Sequence, residues 1–247
     1  MADNQTLQKG IETEELVYQD GDLKLKAFVA RPEGKETKLP VVLISHAWDG
    51  RGQAMLDEAK LMASLGYVGV ALDNYGDARV GKDNDENQKM MMPLVEDRAK
   101  LRKRLQAGLE AAKKLEGVDT SKIAILGFCF GGLCALDLAR SGADIKGAIS
   151  FHGLLGAPEK LANEQIKAKI LVLHGHDDPM VPPAQVQQFE EEMTKAKVDW
   201  QLHAYGQTMH AFMNREANNP SFGTVYNEVT AKRARRTAND FLADIFA

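Results

Sequence analysis

Short apolar, β-branched runs alternate with longer stretches of helical period along most of the chain. Leu23 to Ala30 (LKLKAFVA) alternates with period two, which predicts an exposed antiparallel strand. Pro40 to Ser45 is continuously apolar, as a strand covered on both faces should be. Gly52 to Leu65 has helical spacing and stops at Gly66, a residue suited to a left-handed cap. Tyr67 to Leu72 predicts the next buried strand. Asp73 to Met92 is polar and irregular and runs into Met90-Met91-Met92-Pro93, so a long connection, of the kind that covers a site, is expected there. The Met run itself reads as core or lid packing. Leu94 to Leu115 predicts one long, charge-laced helix. Strands are expected at Lys122 to Leu126, Ile145 to Phe151, Ala168 to His174 and Val198 to Ala204. Helices are expected at Phe130 to Arg140, closed by Gly142, at Pro182 to Lys195, and at Thr224 to Ile245.

Strand–helix alternation on this scale implies right-handed crossovers and an α/β fold, a mostly parallel sheet with helices on both faces. The antiparallel start belongs at an edge. No repeat or Pro/Ser-rich linker divides the chain, so a single domain over 1–247 is expected. Ligand sites in such sheets lie beyond the carboxyl ends of the strands.

Composition narrows the function. The chain has 247 residues, 44 % hydrophobic and 27 % charged, which excludes disordered and fibrous classes. Its formal charge of −4 argues against nucleic acid and against anionic membrane surfaces as partners. Lys232 to Arg236 reads as a solvated basic helix face. The two cysteines, Cys129 and Cys134, make no disulfide framework, and a bridge between them inside a helix is geometrically poor. Met1 to Gly10 lacks the basic-then-apolar order of a signal peptide, and no apolar run reaches the ~20 residues of a membrane span. A soluble cytoplasmic protein is expected. No pattern marks an oligomer interface.

The chemistry concentrates at Gly127-Phe128-Cys129-Phe130-Gly131-Gly132, between an apolar strand and an apolar helix. This is the G-x-C-x-G form of a nucleophile elbow, a tight turn that holds the nucleophile at a helix N-terminus. Helix dipole and N–H groups there favour a thiolate and a tetrahedral oxyanion. The plain alternative is a buried cysteine on a Gly-rich turn. A dinucleotide fingerprint fits less well, because Cys129 replaces the middle glycine.

Partners follow in the order nucleophile, acid, histidine. The strand ending at His174 leads into Gly175-His176-Asp177-Asp178-Pro179-Met180-Val181-Pro182, and the next strand leads to Met209-His210-Ala211-Phe212. His210 can act as general base, and Asp178 can fix its tautomer.

These segments, with His46-Ala47-Trp48-Asp49-Gly50, resemble the dienelactone hydrolase family of the α/β-hydrolase superfamily over about residues 12 to 245. The resemblance implies a hydrolase of small esters or lactones working through a thioester acyl-enzyme, with no cofactor or metal. It maps the family's triad onto Cys129, Asp178 and His210. Asp178 is preferred to Asp177 because the family's acid stands three residues before Val-Pro, here Val181-Pro182. The oxyanion donors implied are the backbone N–H groups of Phe130 and Trp48. His46, Tyr75, His152 and Phe212 are candidate pocket residues, with Phe222 as a further lining residue. Two departures bear on the substrate. Ala47 stands where the family often has a glutamate that tunes the cysteine, leaving His46, Asp49 or His210 alone to activate it. Asp77 and Asn214 stand where arginines bind the substrate carboxylate, with Arg79 and Arg215 off register.

Two rival readings come from other classes. His174-Gly175-His176-Asp177-Asp178 matches most of an H-x-H-x-D-H metal signature, with Pro179 in place of the last histidine, so His174, His176 and Asp178 could serve a metal-dependent hydrolase. The other rival is a non-catalytic binding protein on the same fold.

Overall fold

The computed structural model describes residues 10–34, 38–158, 161, 163 and 165–247. Most of the opening stretch Met1 to Gly10 lies outside the described residues. Eight strands form a mostly parallel sheet accompanied by helices, the α/β class predicted from the alternation. Internal contacts divide the chain into two units, with the division between Ile125 and Leu126.

The first unit contains β1 (Ile11–Asp20), β2 (Leu23–Pro32), β3 (Leu39–Ser45), α1 (Gln53–Ser64), β4 (Val68–Ala71), α2 (Asn84–Glu96), α3 (Arg98–Ala112) and most of β5 (Val118–Phe128). Its strand order is β1-β2-β4-β3-β5. β1 and β2 are antiparallel along their whole length, from Ile11 opposite Pro32 to Asp20 opposite Leu23. β2 is also antiparallel to β4, and β3 is parallel to β4. β1 was not expected from the pattern. Its sequence, IETEELVYQD, is rich in acids because it is an outermost strand with mostly exposed side chains. Charge on an edge strand discourages pairing with other chains, and it also hides the strand from a hydropathy reading.

The expected irregular connection over Asp73 to Met92 is corrected. Asp73 is fully buried, and its carboxylate accepts the N–H groups of Lys26, Tyr75, Gly76 and Ala78 at 2.7–3.0 Å. That one side chain fixes the turn. Helix α2 then starts at Asn84, because Asp83 caps it by accepting the Glu86 N–H at 2.9 Å. The Met run lies inside this helix, which continues through Pro93 to Glu96.

The single helix expected over Leu94 to Leu115 is also corrected. Asp97 leaves helical geometry (φ −111°, ψ 82°) and accepts the Lys100 N–H, which starts α3. A short acid that bonds the backbone ahead of it ends one helix and begins the next.

The second unit contains the end of β5, then α4 (Phe130–Arg140), β6 (Gly147–Phe151), β7 (Lys169–Gly175), α5 (Pro183–Lys195), β8 (Trp200–Tyr205), β9 (Asn218–Asn219), β10 (Thr224–Val225) and α6 (Glu228–Phe246). Its order is β5-β6-β7-β8, with β6, β7 and β8 parallel. β6 is buried throughout and β7 almost so, as their continuous apolar sequences require. Every residue of α4 is buried, including Arg140, whose guanidinium is held by Glu192 at 2.6 and 2.9 Å and by the Leu155 carbonyl at 2.8 Å.

The last helix starts later than expected. Thr224 and Val225 pair with Asn219 and Asn218, and Asn227 caps α6 by accepting the Thr230 N–H. On α6, Lys232, Arg233 and Arg236 are exposed as expected, while Arg235 lies over the Phe151 ring at 5.3 Å. No helix among the described residues is long and apolar enough to cross a membrane.

Candidate active site

Cys129 sits between β5 and α4 with φ 54° and ψ −116°, a strained conformation for a residue with a side chain. Its own N–H donates to the Phe151 carbonyl at 3.0 Å, and its carbonyl accepts the Gly132 N–H at 2.9 Å. These bonds over-determine the turn. Gly127 is required there, since a Cβ at that position would lie 2.0 Å from the Gly131 carbonyl oxygen. Cys129 is partly exposed and Cys134 is buried in α4, and neither forms a disulfide. Phe130, the first residue of α4, is buried.

The acid loop leaves the carboxyl end of β7. Asp178 is buried, and its Oδ2 stands 2.7 Å from His210 Nδ1, while Oδ1 accepts the Met180 N–H at 2.8 Å. Asp177, the alternative acid, is exposed. The two loops are tied together by backbone bonds: the Asp177 N–H donates to Thr208 and the His176 N–H to Tyr205, both at 2.9 Å.

The support of His210 is a feature that the sequence reasoning missed. His210 donates its N–H to the Gly223 carbonyl at 2.9 Å and accepts the Val225 N–H at 3.0 Å. Gly223 has φ 79°, and a Cβ there would meet Pro179 Cγ at 2.1 Å. The acid loop therefore packs directly on the turn that holds the histidine. The signal available in the sequence was the turn composition Asn219-Pro220-Ser221 ahead of Gly223.

Burial by itself would lower the His210 pKa, but Cys129 and Asp178 override it. The Cys129 charge, a hydrogen bond to Asp178, a hydrogen bond to Cys129 and the Asp178 charge together push it up to about 10. Nε2 has no partner at full hydrogen-bond geometry, so the bond to the thiol is a loose one and the effect of Cys129 is mainly electrostatic. The ring is thus oriented by a carboxylate and faces a sulfur.

His152 follows β6, also with positive φ (40°), and is 3 % exposed. Its ring is edge-on to His210 and to Phe212, with centroids 5.2 and 5.1 Å apart. Burial, then the charge of His210, holds it well below the ordinary histidine value. Phe212 is fully buried, whereas Phe222 is half exposed.

In the first unit, His46 is fully buried and its ring nitrogens are both engaged. Nε2 accepts the Asn74 N–H at 3.1 Å, so Nδ1 carries the proton and donates to the Ala47 carbonyl at 2.6 Å. Burial lowers its pKa. Nothing in that pattern suits it to replace the family glutamate. Tyr75 packs on His46 and donates its hydroxyl to the Trp48 carbonyl at 2.9 Å, so it steadies the loop that carries Trp48 and Asp49. Asp77 and Arg79 are exposed and pair with Lys26 and Glu86. In the second unit Asn214 and Arg215 are exposed as well.

The three donors of the metal reading differ in setting. His174 is buried, His176 is exposed, and both Asp178 oxygens are already bonded. Among the described residues no three His, Cys, Asp or Glu side chains are gathered as a metal site.

The sequence profile of the dienelactone hydrolase family matches residues 25–246. A probable 2-oxo-3-(5-oxofuran-2-ylidene)propanoate lactonase of Bradyrhizobium is 27 % identical, over 87 % of this chain and 87 % of that protein. A putative carboxymethylenebutenolidase of Yersinia pestis is 27 % identical over 81 % of this chain and 78 % of its own length. Among solved structures, a dienelactone hydrolase-like promiscuous phosphotriesterase from metagenomic libraries superposes with a TM-score of 0.90 at 31 % identity, covering 96 % of this chain and 100 % of that one. A profile match over nearly the whole chain and a shared fold at this identity lead to one conclusion: the chain belongs to the dienelactone hydrolase family and is a hydrolase acting on esters or lactones.

Proposed function

We propose that hydrolysis proceeds through a thioester acyl-enzyme on Cys129, with His210 as general acid and base and Asp178 as its orienting carboxylate. The observation that carries this reading is the His210 imidazole, bonded through Nδ1 to Asp178 and raised in pKa by the Cys129 charge. A protonated His210 suits the first step. The Cys129 sulfur attacks the carbonyl carbon, and the tetrahedral oxyanion collapses as His210 gives its proton to the leaving alkoxide. The neutral imidazole then takes a proton from water, which attacks the thioester, and His210 returns that proton as the thiolate leaves. Phe130 N–H, at the start of α4, is the oxyanion donor of the scheme within this unit.

A cysteine needs less help than a serine, because a thiol is already a few per cent ionised near neutral pH. With Ala47 in the glutamate position, the activating group of the scheme is His210, which Asp178 orients and whose pKa the Cys129 charge raises. The substrate proposed is a small ester or lactone.

The test is a panel of chromogenic esters, lactones and thioesters run against wild type and Cys129→Ala. A chromogenic phosphotriester belongs in the same panel, given the phosphotriesterase with a similar structure. Cys129→Ala should lose turnover, Cys129→Ser should keep a trace, and mass spectrometry after a quench should find the acyl group on Cys129. Wild-type turnover by Cys129→Ala overturns the scheme.

A further inference from the structure

His152 is a histidine for which the proposed chemistry has no use. Both of its ring nitrogens are buried and neither has a hydrogen-bond partner. Its own carbonyl influences the ring but lies outside hydrogen-bond geometry. A neutral imidazole always carries one donor and one acceptor, and leaving both unmet in an apolar setting is costly. The residue also holds a positive φ that its backbone over-determines, since its N–H donates to the Leu173 carbonyl at 2.9 Å. Strain and unmet polar groups in one residue, beside the reacting imidazole, mark a functional position rather than core packing.

The surroundings define what it can recognise. Phe128, Phe212 and His210 form aromatic walls around the ring, with centroids 6.2, 5.1 and 5.2 Å away. The cation beside His152 is His210 itself, already paired with Asp178 and facing Cys129, and burial with that charge keeps His152 neutral. A carboxylate brought here would find no positive partner in this ring. An uncharged oxygen is the group that matches: a hydroxyl, which takes and gives a hydrogen bond, or a carbonyl, which takes one.

We propose that His152 is a specificity-determining residue whose imidazole hydrogen-bonds an uncharged hydroxyl or carbonyl oxygen of the substrate, next to the scissile bond. This deepens the function proposed above and rests on it. The substrate class becomes an oxygenated neutral ester or lactone rather than a carboxylate-bearing one.

The test uses matched ester pairs that differ by one hydroxyl, on the acyl side in one pair and on the alcohol side in the other. The readout is the ratio of kcat/KM within each pair. Wild type should favour the hydroxylated member of at least one pair by about tenfold or more, the usual cost of leaving a buried polar group unpaired. In His152→Phe that ratio should fall to near one. His152→Leu gives the same readout should the larger ring fail to fold. A ratio that survives the substitution, or a wild-type enzyme with no preference in either pair, overturns the proposal. A purely structural role would lower both members together and leave the ratio intact. A second arm measures calorimetric binding of the matched amides, chosen by a control that shows no turnover, to wild type and His152→Phe. If no ester is cleaved through Cys129 the catalytic scheme fails, yet a binding preference that depends on His152 would still stand. If the scheme holds and neither ratio responds to His152, only the recognition proposal fails.

Discussion

Asp178 divides its two carboxylate oxygens between His210 Nδ1, at 2.7 Å, and the Met180 backbone N–H, at 2.8 Å. One oxygen thus anchors the acid in its own loop while the other orients the imidazole. Asp178→Asn keeps the shape, removes the charge and allows the wrong tautomer, so kcat should fall by about a hundredfold or more. Asp177→Asn, at an exposed neighbour with no bond to the imidazole, should stay within about twofold. Steady-state kinetics of the two variants side by side checks the assignment; equal losses would contradict it.

Stability should depend on pH in two limbs. His210 has its folded pKa raised to about 10 from an ordinary 6.5. The folded state therefore binds more protons between those values, and that stabilisation is complete below pH 6.5 and lost as pH climbs through about 10. His152 is shifted the other way, so its contribution is present above the unfolded pKa and lost as pH falls below it. His174 and His46 share that direction. Melting temperature against pH should show a maximum near neutrality. Cys129→Ser should flatten the alkaline limb, because the sulfur's charge is a principal cause of the His210 shift. His152→Phe should flatten the acid limb in part.

Gly223→Ala tests the packing of the acid loop on the histidine turn. The substitution places a Cβ on Pro179 and forces a positive φ on a residue with a side chain. A stability loss of about 1–3 kcal/mol is expected. Because Pro179 adjoins Asp178, kcat should fall as well, with KM changed less. An unchanged kcat would show that the two loops are not coupled in this way.

Arg140→Met tests the ion pair between α4 and α5. Arg140 ties α4 to Glu192 on α5 and to the Leu155 carbonyl, three residues beyond His152. Removing it leaves Glu192 without its buried partner, at a cost of about 2–4 kcal/mol. Arg140 also lies 3.6 Å from the fully buried Asp137, so adding Glu192→Leu should recover part of that loss in urea denaturation. If the double variant is no more stable than the single one, the unpaired carboxylate is not the cause.

Several features were legible along the chain because a short segment carries the whole constraint. The elbow is one: glycines two residues either side of Cys129, between an apolar strand and an apolar helix, mark a tight strand-to-helix turn, and the structure has it there. The strands β3, β4, β6 and β7 are apolar because both their faces are covered, so their positions could be read directly. Features that depend on single polar contacts were not legible. The turn at 73–78 looked irregular until Asp73 was seen to collect four backbone N–H groups. Asp83, Asp97 and Asn227 reset three helix boundaries by capping. Charge masked β1, an edge strand whose hydrogen bonds come from β2 rather than from its own apolarity.

The sequence by itself determined the α/β alternation and the elbow around Cys129, because periodicity and turn chemistry are local and survive in one dimension; the family was a matter of resemblance between motifs. Tertiary structure decided which acid reaches the imidazole, that both His46 nitrogens are taken, and that His152 is buried beside His210 with its ring nitrogens unmet. Those outcomes depend on hydrogen bonds between residues tens of positions apart and on burial, and neither is written in the spacing of residues along a chain.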